Sequence, residues 1–429
     1  MIASLITVGD ELLIGQTVNT NAAWIGEQLS ARGITVRRAA TVSDEADDIR
    51  DELRRALAAS DAVLLTGGLG ATHDDITKRA VADELGRALV FRDDLFAELK
   101  AKFEARGRTM AARNRVQAEL PEGFEALPNP VGTAPGLWFE DEASGCAVAV
   151  MPGVPQEMKT LMREAVLPRL VERRGDETVV QKTLLTVGRG ETDLADALGD
   201  YAERLGPDLH LAFLPSYGVI RLRITASGAT RAEAEDRLAG FERLVRDRVE
   251  EFVFGEGDDL LEAAVGRMVG ERGLTLATAE SCTGGLLADR ITNVPGASAY
   301  YSGGAVVYGN EQKVSLLGVD RAAIEAHGAV SEAVAKQLAE GVRLRLGTDL
   351  GISTTGVAGP GGGTPEKPVG TVWIGYADTH GSYAVRLQLA KDRLLNKRLS
   401  ITFALNLLRR QLLRRDRAAV DGETVDRGR

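Results

Sequence analysis

Cysteine is nearly absent from this chain: Cys146 and Cys282 are the only two in 429 residues, and they lie far apart in sequence. They can make neither a disulfide framework nor a cysteine zinc site, and so few thiols fit a reducing compartment such as the cytoplasm. Histidine is also scarce, with four residues, and His327 and His380 stand isolated, which leaves little support for a Ser–His–Asp triad. No apolar run reaches the roughly 18 residues of a membrane span. Met1 is followed by IASLITV without a basic leader, so neither export nor membrane insertion is expected. Positive charge is in deficit: 52 basic residues against 62 acidic ones give a net charge of -10. A surface of that sign repels a phosphate backbone, so direct nucleic-acid binding is not expected. Basic residues gather between Lys391 and Arg417, and those from Arg409 onward fall on a helical pattern that reads as a solvated face.

Core material is ample. Hydrophobic residues at 44% and charged residues at 27% mark an ordinary globular chain, whose length calls for two or three domains. From the start, IASLITV, NTNAAWIGEQLSARG, ITVRRAATV, DDIRDELRRALAASD and AVLLTGG alternate strand and helix, the order of a parallel sheet with crossover helices. Asn19 or Asn21 caps the first helix and Gly33 ends it. After RRGDET comes a smaller βαββα unit with no cluster of titratable residues, read as a structural or dimer-forming module. FVFGEGDD reads as a linker, and a second α/β unit follows, with strands LTLAT, YYSGGAVVYG, LGISTTGVAG and GTVWIGYAD. The tail after about Arg417 has the composition of an unstructured segment.

In the last unit, AESCTGG lies where a strand ends and a helix begins. That geometry aims the backbone N–H groups of Cys282, Thr283, Gly284 and Gly285 at one point and favours an anion or oxyanion there. Ser281 stands at the mouth of this nest and needs a base; Tyr308 and Lys313 in VVYGNEQK are the nearest candidates. Cys282 is a rival nucleophile, because a helix N-terminus stabilises a thiolate. A third reading makes Ser281 only a cap for the following helix. The loop TTGVAGPGGG places Thr354 and Thr355 at a strand end, where open α/β sheets bind ligands, with Gly356 a further binding candidate, and Arg393 suits a phosphate.

In the first unit, GDELLIG and GGLGATHDDIT place acidic side chains beside tight turns at the carboxyl edge of the sheet. Gly68, Gly70 and Thr72 suit a ligand there. Glu11, Asp74 and Asp75 either hold a hard cation such as Mg²⁺ or complement helix dipoles.

TAESCTGG, VVYGNEQK, HGAVSE, TTGVAGPGGGTPEKPVGTVW and the pair Asp392–Arg393 together resemble the C-terminal domain of the CinA family. GGLGATHDDIT, NPVGTAPG and PGVPQEM resemble the molybdopterin-binding fold that precedes it in that family. The resemblance runs to about residue 412. It implies an α/β protein in three parts: a molybdopterin-binding-like α/β domain over 1–172, a small KH-like α+β module over 176–254, and a C-terminal α/β deamidase domain over 258–415. It further implies deamidation of nicotinamide mononucleotide to the nicotinic acid form plus ammonia. Ser281 would be the nucleophile, Lys313 and Tyr308 its activating partners, and Thr355 and Arg393 further site residues. The N-terminal domain would hydrolyse ADP-ribose to AMP and ribose 5-phosphate with a divalent metal, with Asp75 as its functional aspartate; the deamidase domain would need no cofactor. This chain departs from the family pattern at Lys391, where glycine is usual, and at Ala71, where proline is usual. Its middle module lacks the GXXG loop of nucleic-acid-clamping KH domains, which points to homodimer formation instead. Two alternatives stand: an N-terminal domain that binds a pterin or nucleotide without turnover, and an interaction protein of DNA uptake or repair.

Overall fold

The computed structural model describes residues 1–421 except 73–74, 108 and 176–177. The chain divides into two compact units, residues 1–181 with 226–237, and residues 182–225 with 238–429.

The first unit is built on Ile2–Val8 (β1), Thr35–Val42 (β2) and Ala62–Thr66 (β3), followed by a separate ribbon of Leu89–Phe91 (β4) with Glu119–Pro121 (β5). Glu125–Leu127 (β6), Gly136–Asp141 (β7) and Cys146–Met151 (β8) complete the main sheet in the order β2-β1-β3-β8-β7-β6. β3 and β8 are buried at every position, as strands covered on both faces must be. Helices carrying Ile25 and Leu29 pack on one face, and those carrying Ile49, Leu53 and Val81 on the other.

The parallel sheet expected from the sequence holds for β2, β1, β3 and β8; beyond them β7 pairs antiparallel with β8, and β6 antiparallel with β7. The cause is the short turn after Asp141, where Gly145 at φ 68° donates to the Asp141 carbonyl at 2.8 Å; a connection that tight can join only antiparallel strands. Asn19 caps the first long helix, accepting from the Ala22 N–H at 3.0 Å. Asn21 is instead buried beneath the sheet edge.

Thr178–Val187 (β9), Leu209–Ser216 (β10), Val219–Gly228 (β11) and Val253–Glu256 (β12) form a four-stranded sheet in the order β10-β11-β9-β12. β12 corrects the reading of FVFGEGDD as a linker: it pairs antiparallel with β9, Glu256 opposite Leu184. Four residues interrupted by a glycine at a register shift show no period in sequence.

The C-terminal sheet contains Leu276–Glu280 (β13), Tyr301–Val306 (β14), Leu350–Gly356 (β15), Thr371–Asp378 (β16) and Gly381–Gln388 (β17), ordered β14-β13-β15-β16-β17. β14, β13 and β15 are parallel; β16 and β17 return antiparallel. β17 was not foreseen, since it is a half-exposed edge strand whose polar residues blur the alternation. The last helix, Arg393–Asp421, continues past Arg417 into the segment expected to be unstructured. β14 and β15 flank β13 on opposite sides, so the chain reverses its winding at β13 and leaves a crevice at the carboxyl ends of these strands. Among the described residues no helix is long and apolar enough to cross a membrane.

Candidate active site

That crevice holds a cavity of about 200 Å³ lined by Ser281, Cys282, Tyr308, Lys313, Thr355 and Arg393, with Gly356 beside Thr355. Four stretches far apart in sequence thus deliver these predicted residues to one point. Ser281 follows β13 directly, and its N–H donates to the Thr354 carbonyl at 2.9 Å, which ties the serine to β15. At 8% exposure its side chain reaches only the cavity.

The backbone nest expected from the sequence is already filled from within. The buried Glu280 carboxylate accepts from the Thr283 hydroxyl at 2.6 Å and from the N–H groups of Gly285, Leu287 and Ala288 at 3.0, 3.0 and 2.8 Å. Gly284 donates to the Ser281 carbonyl at 3.2 Å. An acidic side chain at a helix N-terminus satisfies orphan donors and the dipole together, so Glu280 supplies the anion that was assigned to substrate. Of the four N–H groups, only those of Cys282 and Thr283 stay clear of Glu280 and of the Ser281 carbonyl. Thr283 is fully buried and its hydroxyl also bonds that of Thr354 at 2.7 Å. Thr283, Gly284 and Gly285 therefore shape the turn beneath the cavity and do not line it. Glu280 was legible only as part of AESCTGG; nothing in its spacing showed where the carboxylate would point.

Lys313 is buried, and its Nζ donates to the carbonyls of Val307 at 2.9 Å, Tyr308 at 3.1 Å and Gly309 at 3.5 Å. Burial lowers its pKa from the ordinary lysine value, partly opposed by nearby Cys282. Losing one proton would sacrifice only the longest of the three contacts. Burial pushes the Cys282 thiol up to about 12, so at neutral pH it stays protonated and is a poor nucleophile.

Arg393 opens the last helix and donates to the Gly359 carbonyl at 2.8 Å and to the Tyr308 hydroxyl at 2.9 Å. These bonds fix both side chains at the cavity rim, where Tyr308 is 62% exposed. Thr355 donates to the Ala329 carbonyl at 2.8 Å, joining β15 to the segment before Ser331. Asn310 lines the cavity as well, a residue that the sequence reading passed over in VVYGNEQK. Lys391, the departure from the family pattern, is exposed and absent from the lining.

At the equivalent edge of the first unit, Gly67 and Gly68 turn at φ 113° and 65° after β3. The Asn21 amide donates to the Thr66 hydroxyl at 3.4 Å and the Gly153 carbonyl at 2.8 Å, while its Oδ1 and the Thr77 hydroxyl are buried with no hydrogen-bond partner among the described residues. Sequence reading missed both, since asparagine there reads as a cap. Asp75 accepts from Thr72, from its N–H at 2.7 Å and its hydroxyl at 2.6 Å, which closes the loop over Gly70. The Glu11 carboxylate lies against Gly9, and Asp74 falls outside the described residues. Among the described residues no group of three or more His, Cys, Asp or Glu is placed to hold a metal ion.

Three family models match the chain: a probable molybdopterin binding domain over residues 4–172, a damage-inducible protein CinA KH domain over 181–255, and a CinA C-terminal domain over 258–412. A CinA-like protein of Salinibacter ruber is 48% identical over 412 residues, 96% of this chain and 100% of the relative. One from Cytophaga hutchinsonii is 43% identical over 410 residues, 96% of this chain and 98% of the relative. A crystal structure described as the protein CinA with unknown function from Thermoplasma acidophilum is 40% identical and covers 40% of this chain and 97% of its own, at a TM-score of 0.37.

Proposed function

The chain belongs to the CinA family, and from that premise we propose that its C-terminal domain is a serine amidohydrolase that deamidates nicotinamide mononucleotide to nicotinic acid mononucleotide and ammonia. The observation that carries this reading is the meeting of Ser281, Lys313, Tyr308, Thr355 and Arg393 around one cavity. The Ser281 hydroxyl attacks the carboxamide carbon as the Lys313 amine takes its proton; the lysine then returns that proton to the departing nitrogen, releasing ammonia. Water hydrolyses the resulting ester by the same base in reverse order. The N–H groups of Cys282 and Thr283 are the donors available to the oxyanion. Arg393, held by Gly359 and Tyr308, retains unpaired N–H donors for the substrate phosphate. Ammonia release from nicotinamide mononucleotide by wild-type and Ser281→Ala proteins tests the reading; a silent wild type refutes it.

The N-terminal domain is assigned, in the same proposal, to hydrolysis of ADP-ribose to AMP and ribose 5-phosphate, supported by the orphan atoms of Asn21 and Thr77 beside the Gly68 turn. The divalent metal expected for this step finds no cluster of ligands among the described residues, although Glu11 and Asp75 lie beside the glycine turns of that edge. AMP formation with Mg²⁺ supports hydrolysis, whereas tight calorimetric binding of ADP-ribose without AMP supports a binding module. The KH-like module is assigned to dimerisation, which light scattering tests.

A further inference from the structure

The stretch of the C-terminal helix from Arg409 onward takes no part in either proposed reaction, yet it walls a second cavity of about 360 Å³. Arg409, Arg410 and Arg414 of that helix line it together with Arg189, Phe252 and Glu251. Four guanidinium groups against one carboxylate leave a local charge of +3 (4 − 1) in a chain whose net charge is -10. The basic residues from Arg409 onward were read as a solvated face; Arg410 and Arg414 are indeed exposed, but Arg409 is buried, and all three line this cavity.

The surroundings of Arg409 make the charge expensive to leave unanswered. It is 4% exposed, and its guanidinium donates to the backbone carbonyls of Glu251 at 2.9 Å and Val253 at 2.5 Å, with a long contact to Asn406 at 3.5 Å. Burial lowers its pKa and neighbouring Arg410 adds to that effect, against a raising influence from Glu250 and Glu251. Glu250 is itself paired with Arg246. Among the described residues, none of Arg189, Arg409, Arg410 and Arg414 has an ion-pair partner within 4.0 Å. Arg189 is stacked over the Phe252 ring at 5.2 Å, which holds it at the rim. Removing a charge from water without a counter-charge is costly, and facing guanidinium groups add their mutual repulsion.

We propose that this cavity binds a small phosphorylated anion, a phosphate monoester or a diphosphate. Planar guanidinium forks match phosphate oxygens bidentately, and the volume lies within the range of small-molecule sites. No lining residue is shared with the Ser281 cavity, so the two sites are separate.

The test is calorimetric titration of the full chain with inorganic pyrophosphate and, separately, with AMP. Arg393→Ala removes the phosphate arginine of the Ser281 cavity, and the double variant Arg410→Ala/Arg414→Ala removes two exposed arginines of the new one. The expected result is binding that persists in Arg393→Ala, weakens by about tenfold or more in the double variant, and partly returns in Arg410→Lys/Arg414→Lys, with ammonia release unchanged in the two double variants. Because the N-terminal domain is itself proposed to release AMP, only the binding lost in the double variant counts: a larger loss for AMP identifies a nucleotide ligand, and a larger loss for pyrophosphate an inorganic one. Equal binding by wild type and the folded double variant overturns the proposal. So does displacement of pyrophosphate by a single-stranded oligonucleotide, which would make nucleic acid the ligand.

Discussion

Thr283 donates its hydroxyl to the Glu280 carboxylate at 2.6 Å, across the turn that carries Ser281. The nucleophile of the proposed reaction therefore sits on a turn whose anion is built in, and the geometry of Ser281 depends on a side chain that does not line the cavity. Replacing Glu280 by Gln keeps the shape but sets an NH₂ group against backbone N–H donors. The expected cost is about 1–3 kcal/mol, the price of buried donors left unpaired, together with reduced ammonia release. Thermal unfolding checks the first part, and an unchanged melting temperature would remove the capping role.

Cys282→Ala should retain ammonia release and Ser281→Ala should abolish it. Because burial pushes the Cys282 thiol up to about 12, the native protein should also resist alkylation by iodoacetamide at pH 8, with mass spectrometry as the readout. Loss of activity in the cysteine variant alone would move the nucleophile to sulfur.

The lowered pKa of Lys313 sets the direction of the pH profile. The neutral amine is the active form, so kcat/KM should rise with pH as the lysine loses its proton, with a midpoint below the ordinary lysine value of 10.5. Lys313→Met should lower kcat by about a hundredfold or more. A wild-type profile with no rise below pH 10.5 would exclude Lys313 as the base.

Arg393→Ala should raise KM for nicotinamide mononucleotide and leave KM for the riboside, which lacks the phosphate, nearly unchanged. The same variant frees the Tyr308 hydroxyl, so a fall in kcat for both substrates would show that the 2.9 Å bond also serves to position the tyrosine. Equal KM changes for the two substrates would separate Arg393 from the phosphate.

In the N-terminal domain, Gly68→Ala should cost about 1–2 kcal/mol, since φ of 65° strains an L-residue and a methyl group would meet the Thr77 hydroxyl. Calorimetry with ADP-ribose should show weaker binding by this variant than by wild type. Unchanged binding would place the ligand away from the Gly68 turn.

The order of strands and helices was legible where strands are buried on both faces, as in β1, β3 and β13, because their mostly apolar runs are set off by helical patterns and turn residues. It was illegible in β12 and β17, one too short to show a period and the other an exposed edge whose composition no core constrains. Ser281, Tyr308, Lys313, Thr355 and Arg393 were named from their motifs, since residue type and position at a strand end already limit their chemistry.

What the amino-acid order determined is which groups are present and which element ends carry them. Tertiary structure alone decided their electrostatic state. Glu280 and Lys313 are ordinary charged residues in sequence; the fold turns one into a helix cap and buries the other among three carbonyls. Arg409 likewise reads as solvated until β12 and the preceding turn enclose it. Solvation and partnership depend on neighbours brought together from distant sequence, and local periodicity holds no record of those neighbours.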